Sequence, residues 1–122
     1  MNTEPISFFE IAYLIRKIRE WVLTQNIEAI YGVPRGGCVP GVMLSHITGL
    51  PYLPTLDSTS YTSILIIDDI ADSGRTISLL KEMYPAYPIV TLYRRYNCPV
   101  HVDFYGKEVN HDKWLVFPWE NF

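Results

Sequence analysis

Ile64-Leu65-Ile66-Ile67 followed at once by Asp68-Asp69 leaves this chain few folds to choose from. Four consecutive apolar residues read as a strand buried on both faces. The two carboxylates end it, and a polar turn, Asp72-Ser73-Gly74-Arg75-Thr76, runs into the amphipathic stretch Ile77 to Met83. Strand, polar turn and helix start in that order build an anion site, because unpaired backbone N–H groups point outward at a helix N-terminus. Carboxylates repel an anion, so Asp68 and Asp69 need a different partner: sugar hydroxyls, a metal ion, or both. A buried strand followed by a capped helix would account for Ile64 to Ile67 and for Ser73 or Thr76 as caps. It leaves three acids between positions 68 and 72 unexplained.

A second turn has related chemistry. Ala29 to Val33 reads as a short strand that ends in Pro34-Arg35-Gly36-Gly37. The two glycines let a backbone approach an anion closely, and Arg35 adds a fixed charge with planar donors. The turn has no Lys-Ser/Thr ending of a Walker A motif and no dinucleotide fingerprint. Alone it is a weak signal, since glycine pairs are common in turns.

Around these turns the pattern alternates. Ser7-Phe8-Phe9-Glu10 is a capping-box sequence, and Ile11, Leu14, Ile15, Ile18, Trp21 and Val22 follow at helical spacing, with Trp21 a core residue. Val39 to Ile47 reads as a second helix with Pro40 in its first turn and Gly49 at its end. Thr76 to Tyr84 reads as a third, stopped by Pro85. Strands are expected at Tyr52-Leu53, Ser63 to Asp68, Ile89 to Arg94, Val100 to Val109 and Trp114 to Phe117. Helices alternating with strands predict an α/β fold with a mainly parallel sheet, where ligands sit at the carboxyl ends of the strands. Both turns follow strands and precede helices, so they belong on the same sheet edge.

Bulk properties bound the rest. The 122 residues suit one domain, and 48% apolar content is in the globular range. A net charge of −3 argues against a nucleic-acid binder working by phosphate neutralisation. Cys38 and Cys98 lack metal-site spacing and read as reduced thiols. Neither a signal-peptide pattern nor an apolar run of membrane-spanning length is present, so a cytoplasmic protein is expected.

The 64–76 segment resembles the phosphoribosyl-pyrophosphate motif of type I phosphoribosyltransferases, and 34–37 resembles that family's pyrophosphate loop. The resemblance to bacterial xanthine-guanine phosphoribosyltransferases continues through Val39-Pro40-Gly41, Glu82-Met83-Tyr84-Pro85, Val90-Thr91-Leu92-Tyr93, Asp112-Lys113-Trp114 and Pro118-Trp119. It implies a single-domain, three-layer, Rossmann-like fold over 1–122 with a small C-terminal hood near 95–119. It also implies transfer of 5-phosphoribose from phosphoribosyl pyrophosphate to an oxopurine, with Mg²⁺, in a homodimer or homotetramer without nucleic-acid or membrane partners.

Carried over residue by residue, Asp68 and Asp69 bind the ribose diol, Asp69 helps hold the metal, and the backbone turns at Asp69 so that both reach the sugar. Asp72 is the general base and is also one of the residues that bind phosphoribosyl pyrophosphate. Ser73, Gly74, Arg75 and Thr76 cradle the 5-phosphate; for Arg75, backbone donors could suffice without its side chain. Arg35, Gly36 and Gly37 hold the pyrophosphate, in a loop where the family often has a cis peptide. Trp114, with Leu115, stacks on the purine. Arg95 stands where the subfamily has a lysine that donates to the purine 6-oxo group. Trp119 is packing, and Arg94 is solvated or subunit-facing.

One departure stands out. Ser60-Tyr61 matches the pair that precedes a long flexible lid in type I enzymes, yet the central strand begins at Ile64. The stretch from Ser58 to Ser63 is too short to exclude water from a reactive sugar cation by itself. The competing expectation is therefore a weakly active or non-catalytic sensor of the same ligands, unless a partner subunit covers the site.

Overall fold

The computed structural model describes residues 2–57 and 60–121; Ser58 and Thr59 of the expected short lid lie outside the described residues. The chain runs β1 (Thr3–Pro5), α1 (Phe8–Val22), β2 (Ala29–Gly32), α2 (Cys38–Thr48), β3 (Tyr52–Leu53), β4 (Ile64–Ala71), α3 (Arg75–Met83), β5 (Ile89–Arg95), β6 (Phe104–Val109), β7 (Trp114–Val116) and a 3₁₀ turn at Pro118–Glu120.

Five strands form one parallel sheet in the order β3-β2-β4-β5-β6. Alternation along β4 builds both faces. Leu65 and Ile67 meet Ile11, Leu14, Ile15 and Ile18 of α1 and Leu44 of α2, whereas Ile64 and Ile66 meet Ile77 of α3. Two helices on one face and one on the other give the three layers expected. Strand order reverses between β2 and β4: α2 leaves β2 towards one face and α3 leaves β4 towards the other. The crevice at such a reversal is where ligands bind in open α/β sheets.

Several boundaries differ from the sequence reading. The acids do not end the central strand, and the backbone does not turn at Asp69. β4 continues to Ala71, paired with β5 through Asp68↔Thr91 and Ile70↔Tyr93. Ladder pairing with β5 outweighs the low strand propensity of aspartate. The last main-sheet strand begins at Phe104 rather than Val100. The hood is not simply 95–119, because β6 joins the main sheet and the N-terminal strand β1 pairs with β7. No alternation marks Thr3–Pro5; it is a strand because β7 offers it a ladder. Phe117 fixes the hood to the sheet, stacked on Trp119 at 5.1 Å and tilted against buried Tyr93 at 5.8 Å.

The capping box at α1 is half formed. Ser7 Oγ accepts from the Glu10 N–H at 3.1 Å. The Glu10 carboxylate instead accepts from Tyr93 Oη at 2.5 Å and Lys107 Nζ at 3.2 Å. A buried phenol needs a partner more than a solvated helix end does. Trp21 is partly buried and stacks on Phe104 at 5.4 Å.

Candidate active site at the carboxyl edge of the sheet

The two turns meet. After Gly32 the chain passes through a cis Pro34–Arg35 peptide, in the loop where the resemblance implied one. The Gly37 N–H donates to Val33 O at 2.7 Å, and the Val33 N–H donates to Ile67 O at 2.9 Å, tying the turn to β4. Gly36 lies directly against the Asp69 carboxylate: a Cβ there would stand 2.1 Å from Oδ2. At Gly37 a Cβ would stand 2.3 Å from Ile67 O. Side-chain-free backbone is what brings the 34–37 turn onto the acids.

Asp68 and Asp69 lie half-buried in the second half of β4, with their carboxylates close enough to interact. Each curls back on the chain: Asp68 Oδ1 accepts from the Asp69 N–H at 2.8 Å, and Asp69 Oδ1 from the Ile70 N–H at 2.7 Å. Burial, and secondarily the neighbouring Asp69 charge, pushes the Asp68 carboxyl up to about 8. Burial also raises Asp69, with the Glu120 charge adding to it. A cation or hydrogen-bond donors would relieve this crowding.

The shift has a consequence for the metal-free protein. The folded state holds the Asp68 proton more tightly than the unfolded state. Between about pH 4 and 8 the unfolded chain therefore binds fewer protons, and stability falls as pH rises. Thermal melting of wild type and Asp68→Asn is expected to show a decline for wild type across this range and a flatter profile for the variant. Parallel profiles would contradict the assignment.

Beyond Ala71, Gly74 adopts φ +82° and opens α3. Asparagine aside, other side chains resist that conformation. Among the described residues, no hydrogen bond uses the Gly74, Thr76 or Ile77 N–H groups; the Arg75 N–H reaches only Ser73 Oγ, at 3.3 Å. Ser73, Arg75 and Thr76 are exposed around a hollow of about 200 Å³ that Asp68, Asp69 and Asp72 also line. Among the described residues the Arg75 side chain makes no hydrogen bond or ion pair, and the turn presents its backbone donors to the hollow.

A second hollow, about 260 Å³, lies under the hood between Asp69, Asp72, Arg95, Trp114, Leu115 and Phe117. Trp114 is half exposed and Leu115 buried. Arg95 is buried and donates from Nε and one terminal nitrogen to both Asp72 oxygens at 3.3 Å. Its other terminal nitrogen donates to His111 O at 2.7 Å and Lys113 O at 3.0 Å. Arg94, expected in solvent or at a subunit contact, donates to Cys98 O at 2.8 Å and sits 5.9 Å from the Tyr105 ring centre. A third hollow, about 630 Å³, is lined by Arg35, Gly36, Val39, Asp69, Trp119 and Glu120. Asp69 borders all three. The sequence-predicted residues other than Gly37, which packs under the turn against Ile67 and Val33, thus line three adjoining hollows.

Sequence reasoning missed Glu120 and the wall position of Trp119. Both come from the 3₁₀ turn, which the stacked Phe117 and Trp119 rings fold over the crevice. The Glu120 carboxylate accepts from the Phe117 N–H at 2.9 Å. The signal present was Pro118 at the first position of that turn; nothing local tells where a terminal turn will dock.

No family model matches the sequence. A xanthine-guanine phosphoribosyltransferase of Cereibacter sphaeroides is 31% identical over 115 residues, covering 76% of this chain and 69% of that protein. The chain belongs to the phosphoribosyltransferase family. As a phosphoribosyltransferase it is a pentosyl-transferring enzyme on the α/β fold the sequence implied. The xanthine-guanine phosphoribosyltransferase of Vibrio vulnificus is 29% identical over 111 residues, covering 76% of this chain and 72% of that one. The solved purine phosphoribosyltransferase of Pyrococcus horikoshii superposes with a TM-score of 0.86 at 26% identity, over all of this chain and 96% of that one. No helix among the described residues is long and apolar enough to cross a membrane.

Proposed function

We propose that this phosphoribosyltransferase moves 5-phosphoribose from phosphoribosyl pyrophosphate to the ring nitrogen of an oxopurine: guanine, xanthine or hypoxanthine. The observation that carries the reading is the meeting of three hollows at Asp69. One ligand with a phosphate, a diol and a pyrophosphate spans them. The 5-phosphate takes the N–H groups and hydroxyls of Ser73 to Thr76, with Arg75 contributing through its backbone. The ribose diol takes Asp68 and Asp69. The pyrophosphate takes Arg35 and the Gly36 backbone, while the Gly37 N–H, given to Val33 O, holds the turn in place.

In the reaction the bond from ribose C1 to the pyrophosphate oxygen breaks, the purine nitrogen bonds to C1, and the proton on that nitrogen passes to Asp72. Holding three parts of one substrate against the base lowers the entropy cost of the encounter. Arg35 and the N–H groups meet the leaving charge. Trp114 and Leu115 flank the base plane. Arg95 offers the purine edge only donors, which suit a 6-oxo group and oppose the 6-amino group of adenine.

Mg²⁺ fits this donor set. No group of three or more His, Cys, Asp or Glu among the described residues is clustered to hold a metal. Mg²⁺ commonly takes one or two carboxylates and completes its shell with substrate oxygens and water. Asp69, crowded by Asp68 and Glu120, is the carboxylate for it. When bound, the ion neutralises pyrophosphate charge and orients it.

The short connection between β3 and β4 bears on the sensor alternative. Tyr61 packs against the sheet face of Ile64 and Ile66. The Pyrococcus horikoshii purine phosphoribosyltransferase is nearly coextensive with this chain, which favours the enzyme. Protein, Mg²⁺ and phosphoribosyl pyrophosphate incubated with each purine test the reading. Nucleotide is expected from oxopurines and little from adenine. Tight ligand binding with no nucleotide from any purine would support the sensor, and adenine as the best acceptor would overturn the oxopurine assignment.

A further inference from the structure

We propose that Arg95 is a positioning residue that acts through Asp72, latching the hood to the proposed base, and that this use takes most of its guanidinium. The inference rests on the phosphoribosyl-transfer reading and adds a control element to the same site.

A guanidinium has five N–H donors. Arg95 places two on Asp72 and two on the carbonyls of His111 and Lys113, leaving one, on a terminal nitrogen, for a substrate. The side chain is 7% exposed, whereas that of Asp72 is 49% exposed. The burdens are therefore unequal. Arg95 closes β5 and is held in the ladder opposite Val109. Asp72 lies outside that ladder, between β4 and α3, and among the described residues its carboxylate accepts from Arg95 alone. The ladder-held cation sets where the carboxylate points.

The same cation sets the opposite wall. His111 and Lys113 belong to no strand, and Trp114 and Leu115 follow directly. The Lys113 N–H donates to His111 Nδ1 at 3.1 Å, and the Trp114 N–H to Asn2 O at 2.9 Å. Four donors from one planar group thus join the two sides of the base hollow. A lysine ammonium keeps the charge but cannot fork onto a carboxylate and two carbonyls from one fixed plane.

A double-mutant cycle separates this role from direct purine binding. Arg95→Ala is expected to lower kcat by about 100-fold, the scale of a misplaced catalytic group. The same change in an Asp72→Asn background should cost only about 3-fold, because coupled residues are non-additive. Arg95→Lys should recover little kcat, and added methylguanidinium should partly restore Arg95→Ala. A purine KM that rises equally in both backgrounds, with kcat kept by lysine, would overturn the proposal.

Amide hydrogen exchange supplies a readout without turnover. Exchange at Lys113 and Trp114 should be at least about 10-fold faster in Arg95→Lys and Arg95→Ala, with Ile66 unchanged. Unchanged exchange at 113–114 would overturn the latch. If wild type forms no nucleotide, the functional reading fails, and the exchange result still decides the latch.

Discussion

Asp72→Asn is expected to lower kcat by about 100- to 10,000-fold, the range for losing a general base, while the KM for phosphoribosyl pyrophosphate changes by less than about 3-fold. The reason is spatial. The proposed phosphate and pyrophosphate contacts come from 73–76 and from Arg35 and Gly36, and Asp72, which borders both the phosphate hollow and the base hollow, has its carboxylate held by Arg95 on the base side. Asparagine keeps an oxygen for Arg95 to bond but cannot accept the purine proton at neutral pH. Steady-state kinetics with saturating purine measure both quantities. Equal losses in kcat and in sugar-phosphate binding would place Asp72 among the ligand-holding groups instead.

Gly36→Ala is expected to be the more damaging change for binding. The new methyl would fall 2.1 Å from Asp69 Oδ2 and 2.5 Å from its Cγ. Asp69 has little freedom to retreat, because its Oδ1 already accepts the Ile70 N–H at 2.7 Å. Either the carboxylate leaves the diol position or the 34–37 turn lifts from the strand end, and both separate the halves of the groove. Affinity for phosphoribosyl pyrophosphate should fall by at least about 100-fold, since small displacements at a positioned site cost that much. Overpacking should cost about 1–3 kcal/mol of stability. Gly37→Ala is the control: its methyl would meet Ile67 O, a backbone atom at 2.3 Å inside the sheet, so folding should suffer first. Calorimetric titration and thermal melting distinguish them. Unchanged affinity in Gly36→Ala would show that the turns need not touch.

The core of the fold was legible because it rests on local signals. Four apolar residues in β4, helical spacing in α1, and glycines after β2 and before α3 each carry a stated physical meaning, and together they place both turns on one sheet edge. The strand end at Asp68-Asp69 was misjudged, since the composition of one strand does not reveal a neighbour that prolongs it. β1 was missed for the same reason: Thr3–Pro5 has no pattern until β7 pairs with it. Within the site, Asp72, Arg95 and Trp114 could be placed near one another by resemblance alone. The sharing of Arg95 between Asp72 and the hood could not, because it depends on how residues 111–113 return to the sheet. Glu120 was invisible because Pro118 marks the turn without telling where it docks.

The most direct test of the account is the ratio of nucleotide formed to pyrophosphate released when protein, Mg²⁺, phosphoribosyl pyrophosphate and an oxopurine are mixed. A groove that grips the sugar phosphate at both ends and presents a base to C1 predicts a ratio of about one, with both products absent when the purine is omitted. Pyrophosphate released without nucleotide, at the same rate with or without purine, would contradict it.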